Sequence, residues 1–152
     1  MKTAITLTTI YHPKVIEDYL KNISKYQHKD IEIIIVGDKK TPSGLEEYCS
    51  SLKLKYDFLI TYLNIEEQIK FLNEFPKFQK YLPFNSFARR NIADLYAYKK
   101  NFEIIIRIDD DNFPMEEDFI SCHIKNLKKE TYLYAISSDN GWYNICEELV
   151  DK

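Results

Sequence analysis

The chain has 152 residues, 45% of them apolar and 30% charged, and carries a formal net charge of -3. That size and composition suit a single soluble globular domain with a real core and exclude a disordered chain, and the slightly acidic balance supplies no basic face for nucleic acid. No apolar run reaches the roughly 18 residues of a membrane span, and the N-terminus opens on a Thr-rich alternating segment rather than a signal-peptide core, so the expected compartment is the cytoplasm. Cys49, Cys122 and Cys146 are widely spaced with no Cys-x-x-Cys pair, which suggests neither a disulfide framework nor a zinc site.

In chain order, Ala4 to Ile10 alternates Thr with apolar residues and predicts a first strand that ends at Tyr11-His12-Pro13. Val15, Ile16, Tyr19, Leu20 and Ile23 recur at helical spacing and predict an amphipathic helix over Lys14 to Tyr26. The β-branched run Ile31 to Val36 predicts a second strand, delivering the polar loop Gly37 to Pro42. A short helix follows, opened by Thr41-Pro42-Ser43-Gly44 and running to about Leu52, and then a third strand over Tyr56 to Leu63. This alternation implies a parallel sheet with helices packed on it, an α/β fold. Ile65 to Phe75 reads as partly helical and Pro76 to Pro83 as an aromatic connection without periodicity. Asn85 and Ser86 supply cap-type residues for a helix over Phe87 to Lys100, with Ala88, Ile92, Leu95 and Tyr96 on its buried face. The remaining expectations are a strand over Glu103 to Ile108 that fits full burial, a helix over Met115 to Lys129, a last strand over Tyr132 to Ser137, a turn at Ser138 to Gly141, and a terminal element over Trp142 to Val150.

The strand before Ile108 ends in Asp109-Asp110-Asp111, followed by the turn residues Asn112 and Pro114. Three adjacent carboxylates repel one another and are best tolerated around a cation. Mg²⁺ and Mn²⁺ prefer such oxygen ligands, keeping one or two protein carboxylates and filling the other positions with water and phosphate oxygens. The loop therefore reads as a metal–diphosphate site, against the alternative of a solvated acidic turn. A second oddity lies in Arg89 and Arg90, which fall in the first turn of a helix where the dipole disfavours cations. A diphosphate or the Asp loop itself would compensate them, and the guanidinium fork suits phosphate oxygens. With three glycines in the chain there is no phosphate-cradling Gly-rich loop, so phosphates would be held by metal and arginine.

Four stretches, Thr8-Thr9-Ile10-Tyr11, Val36 to Pro42, Leu82 to Asn91 and Ile108 to Asn112, together resemble the STELLO-like glycosyltransferases. They are more distantly similar to the reversibly glycosylated polypeptides that act as UDP-arabinopyranose mutases. The resemblance spans nearly the whole chain and implies a Rossmann-like A-type glycosyltransferase fold (GT-A). It further implies a nucleotide-sugar donor, expected to be a UDP-sugar, bound with Mn²⁺ or Mg²⁺. Thr9, Tyr11 and Asp38 would hold base and ribose, and Asp109 and Asp111 would form the metal-binding Asp-x-Asp pair, with Asp111 the favoured ligand and Asp109 or Asp110 near ribose or sugar. Arg89 or Arg90, with Asn91 beside them, would meet the diphosphate, Arg90 being preferred. Ala93-Asp94 departs from the relatives' Gly-aromatic pair.

The implied fold continues past Trp142 into an acceptor half, so the chain reads as truncated there or as a naturally short protein with impaired transfer. Asp139 is a candidate acceptor-side base, although a turn role in Ser-Asp-Asn-Gly fits it better. Trp142 suits sugar stacking or packing, and His12 and His123 read as structural or surface residues. Two alternatives stay open, a nucleotide-sugar-binding module without transfer and a UDP-sugar mutase. An Asp-x-Asp phosphatase is disfavoured because Asn112, rather than Thr or Val, follows the last Asp.

Overall fold

The structure, a computed structural model, describes residues 1–128. Over that span the chain forms β1 (Thr3–Thr9), α1 (Val15–Lys25), β2 (Ile31–Gly37), α2 (Leu45–Tyr56), β3 (Leu59–Leu63), α3 (Ile65–Leu72), α4 (Pro76–Lys80), a 3₁₀ turn (Phe87–Arg89), α5 (Arg90–Lys99), β4 (Ile104–Arg107) and α6 (Phe119–Lys128). The strand and terminal element expected after Lys129, with Asp139, Trp142 and Cys146, lie outside the described residues.

The strands make one sheet in the order β3-β2-β1-β4, and every pairing is parallel. A parallel sheet needs crossovers that cover its faces, and the side chains show both faces in use. Ile5, Leu7, Ile33, Ile35, Ile104 and Ile106 point to one face, where Val15, Ile16, Tyr19, Leu20 and Ile23 of α1 meet Leu45, Cys49 and Leu52 of α2 and Ile120 of α6. Ala4, Ile34 and Val36 point to the other, against Leu72 of α3 and Ile92, Ala93 and Ala97 of α5. Burying each such Ile or Leu contributes roughly 1.5–3 kcal/mol. Burial also pushes the Cys49 thiol up to about 12, so it stays protonated and unreactive at neutral pH. No helix of the described residues is long and apolar enough to cross a membrane.

Several details differ from the sequence expectations, each for a local reason. Helix α2 continues to Tyr56, where the strand was expected to begin, and stops only where Asp57 turns left-handed at φ 54°. The segment before Leu82, expected to be irregular, contains the short helix α4, opened by Pro76 at its first position. Helix α5 buries Ile92, Ala93 and Ala97 fully, with Leu95 and Tyr96 half-buried against the same cluster, because the two alanines let its backbone approach β1 and β2. Strand β4 is half-buried, not fully buried: it is an edge of the sheet among the described residues, with Ile105 38% exposed and Arg107 turned to Asp94 and Asn91 on α5. Asp94, the departure noted in the sequence, also accepts from the buried Thr6 hydroxyl at 2.7 Å, so it ties β1, β4 and α5 together.

Helix α6 begins at Phe119 rather than Met115, because the carbonyls of the preceding residues are bonded to α1 instead. Asn22 Nδ2 donates to the Met115 and Glu117 carbonyls at 3.2 and 2.7 Å, and the Tyr26 hydroxyl to Glu116 at 2.7 Å. Asp118 caps the helix, accepting from the Ser121 N–H at 3.0 Å while its Oδ1 lies 2.5 Å from His28 Nε2. Partial burial works against the Asp118 charge, but the Ser121 N–H and His28 outweigh it and hold the carboxyl below its ordinary value of 3.8. Stability from a carboxyl depressed in this way is present above that ordinary value and lost as pH falls through the folded one. Asp118→Ala is expected to lose about 1 kcal/mol at neutral pH. In urea unfolding followed down to about pH 3, the gap to wild type should shrink; a gap independent of pH would contradict this role for the cap.

Candidate functional site

The parallel arrangement sends the carboxyl ends of all four strands to one edge of the sheet. The strand order reverses between β1, whose neighbour on one side is β2, and β4 on its other side, and a crevice opens at the carboxyl ends of these two strands. A cleft of about 420 Å³ sits there, lined by Thr8 to Tyr11 at and beyond the end of β1, Asp38 and Lys40 after β2, Asn85 to Phe87 ahead of α5, and Asp109 to Asp111 after β4.

Register explains how the Asp loop meets β1. Thr6 pairs with Arg107, and the Ile108 N–H donates to the Thr6 carbonyl at 3.0 Å, so continuing the two strands brings Asp110 level with Thr9. The Thr9 hydroxyl then donates to Asp110 Oδ2 at 2.6 Å and accepts from the Tyr11 N–H at 3.0 Å. The loop is closed on itself by Asn112, whose Oδ1 accepts from the Asp109 N–H at 3.0 Å. Asp109 is paired with Arg90, Nη1 to Oδ1 at 2.9 Å, the two side chains being 61% and 27% exposed. Asp111 is exposed and makes no hydrogen bond or ion pair among the described residues. The three carboxylates thus have three different surroundings: one hydroxyl-bonded, one guanidinium-bonded, one open.

Asp38 is buried. Its Oδ1 accepts from the Lys39 N–H at 2.7 Å and its Oδ2 from the Ser86 N–H at 3.1 Å, which fastens the loop before α5 to the end of β2. Thr41 completes the wall by donating to the Thr9 carbonyl at 2.7 Å and accepting from the Asp38 N–H at 2.6 Å. Asn85 adopts a left-handed φ of 53° at the cleft, a conformation that asparagine tolerates better than most residues.

The two arginines have separate fates. Arg90 faces the Asp loop, so that loop is its compensating anion. Arg89 is only 2% exposed and does not line the cleft; its Nε and Nη2 both donate to Gln68 Oε1, and its guanidinium lies 4.2 Å from the Phe84 ring centre. Burial lowers its ordinary value, opposed by the charge of Asp38. Gln68 in turn donates to the Gly37 and Leu63 carbonyls at 2.8 and 2.7 Å, so this cluster braces the ends of β2 and β3. Asn91 also stays outside the cleft, accepting from Arg107 at 3.3 Å.

The structure therefore gathers Thr9, Tyr11, Asp38, Asp109, Asp110 and Asp111 around one cleft; Arg90 is not among the lining residues but reaches the cleft's edge through its pair with Asp109, and Arg89 and Asn91 lie behind it. Lys40, Asn85 and Phe87 join the lining without having been singled out in the sequence. The sequence gives Asn85 a cap-type reading, and an exposed Lys or Phe gives no chemical signal by itself. His12 packs edge-on to Tyr48 and His123 to Phe119, in keeping with their structural assignment.

Among the described residues no group of three or more His, Cys, Asp and Glu side chains is arranged to hold a metal ion. The Asp loop offers two carboxylates, Asp109 and Asp111, on one accessible edge. An all-oxygen pair of that kind fits Mg²⁺ or Mn²⁺ completing its shell with water and phosphate oxygens, and does not fit a closed four-ligand zinc site. Neither protein-family models nor curated proteins give a match to this chain.

The separation of the arginines carries a stability signature. Gln68→Leu strips partners from a buried guanidinium and two buried carbonyls, and should cost about 3 kcal/mol in urea unfolding. Arg90→Gln removes a partly exposed pair and should change stability by about 0.5 kcal/mol or less. Equal losses for the two variants would contradict the division into a bracing and a cleft-facing arginine.

Proposed function

We propose that the chain binds a nucleoside diphosphate sugar, in first place a UDP-sugar, and serves as the donor-binding domain of a metal-dependent glycosyltransferase of the A-type fold. The observation that carries this reading is the carboxylate-edged cleft at the crevice between β1 and β4, where open α/β sheets bind their ligands. Its sequence motifs, discussed above, lead to the same class.

In this reading Asp109 and Asp111 would hold Mg²⁺ or Mn²⁺, which when bound supplies positive charge to the diphosphate as it becomes the leaving group. The chain's own residues do the rest. Thr9 ties one oxygen of Asp110 to β1, which leaves the flanking carboxylates of the same cleft edge without a bond to the sheet. Arg90 contributes guanidinium donors to the phosphate oxygens from the rim. Tyr11 and Phe87, both exposed and both lining the cleft, offer aromatic faces for the base or sugar. Asp38, with Oδ1 and Oδ2 each already accepting a backbone N–H, forms the floor under the ribose.

Calorimetric titration of UDP is expected to show binding with Mn²⁺ present and at least about tenfold weaker binding without it, the worth of one well-placed charge interaction in a partly exposed site. Asp111→Asn should reduce the metal-dependent part by a similar factor. Product analysis with UDP-sugars then separates transfer from ring-form interconversion and from binding alone. Well-folded wild type that binds UDP in neither condition would contradict the proposal.

A further inference from the structure

The Asp loop and the arginine beside it are bound to each other, and this bears on how a ligand enters. Resting on the metal-dependent reading above, we infer that Arg90 is an internal counter-ion that competes with the divalent cation for Asp109, so that cation and nucleotide are taken up together rather than in either order.

The geometry supports this in three ways. First, Arg90 Nη1 holds Asp109 Oδ1 at 2.9 Å, so a divalent cation on either oxygen of that carboxylate would stand beside a guanidinium bonded to the same group. Like charges so close disfavour each other even in a solvated setting. Second, Asp110 is a constrained substitute for Asp109, because its Oδ2 accepts the Thr9 hydroxyl at 2.6 Å and ties it to β1. A cation arriving alone therefore meets one open carboxylate, Asp111, one tethered by a hydroxyl, Asp110, and one already neutralised, Asp109. Third, Arg90 has a second contact at the rim. Its guanidinium lies 5.6 Å from the ring centre of Phe87, a cleft-lining residue that is 76% exposed. That cation–π contact keeps the side chain at the cleft when it leaves Asp109, where a diphosphate offers a stronger anionic partner. The diphosphate frees Asp109 for the cation by engaging Arg90, and by reciprocity the cation strengthens binding of the diphosphate.

The test measures Mn²⁺ binding directly, by electron paramagnetic resonance of the free ion, without and with UDP. Wild type is expected to bind Mn²⁺ weakly alone and distinctly better with UDP. Arg90→Gln should bind Mn²⁺ alone about tenfold tighter than wild type and gain less from UDP. Arg90→Lys, which keeps the charge, should remain near wild type toward Mn²⁺ alone. In an Asp109→Asn background, Arg90→Gln should no longer change Mn²⁺ affinity, since the carboxylate contested by the two cations is gone. If Arg90→Gln binds Mn²⁺ no tighter than wild type, or its gain survives in Asp109→Asn, the competition is overturned while the metal site stands. If wild type and Arg90→Gln both fail to bind Mn²⁺ with or without UDP, the cation reading itself falls, and the competition with it.

Discussion

Three carboxylates in a row at the end of a strand set the electrostatic problem around which this edge of the molecule is built. Left alone they would repel and keep the loop open. Here the repulsion is divided: Thr9 holds Asp110, Arg90 holds Asp109, and Asp111 is left to solvent. Each holding group comes from a different element, β1 and α5, so the loop after β4 is fixed only when the sheet and that helix are both in place. Charge management and tertiary structure are thus the same contacts, and an anionic edge persists on a protein of nearly balanced charge.

The all-parallel order β3-β2-β1-β4 puts those contacts where a ligand can use them. Helix α5 is the pivot. Its small residues Ala93 and Ala97 let it lie close on β1 and β2, its Asp94 bonds to Thr6 and pairs with Arg107, and its N-terminal Arg90 reaches the Asp loop. Just before it, Arg89 joins Gln68 of α3 in closing the ends of β2 and β3, and Ser86 fastens to Asp38. On the other face, α1 grips the segment after the Asp loop through Asn22 and Tyr26. The cleft is therefore walled by loops whose backbone is bonded to the scaffold, which suits a site that must present charges in a fixed pattern.

Much of this was legible in the sequence, and what was not has identifiable causes. The β-branched runs Ile31 to Val36 and Glu103 to Ile108, and the helical spacing of Val15 to Ile23, gave the alternation and hence the parallel sheet, because both periodicities follow from burying one stripe or face. The Asp triplet and the dipole-defying arginines pointed to the site. Which arginine served it was not legible, since adjacent helical residues point in different directions and the deciding partner, Gln68, is distant in sequence. The end of α2 is not legible because Lys53 to Tyr56 suits helix or strand equally, and the stop depends on a left-handed Asp57. The edge position of β4 among the described residues is not legible either, as isoleucines at 104 to 106 look the same whether one face is buried or two.

The most direct measurement of whether this cleft receives a divalent cation with a nucleotide is paramagnetic broadening of backbone amide signals by Mn²⁺ in the presence of UDP. The expected result is selective broadening of Thr9 to Tyr11, Asp38 to Lys40 and Asp109 to Asp111, with the opposite end of the sheet unaffected. Broadening centred instead on the cleft at that opposite end, lined by Gln27 to Ile31 and Asp57 to Leu59, or none at all, would contradict the assignment.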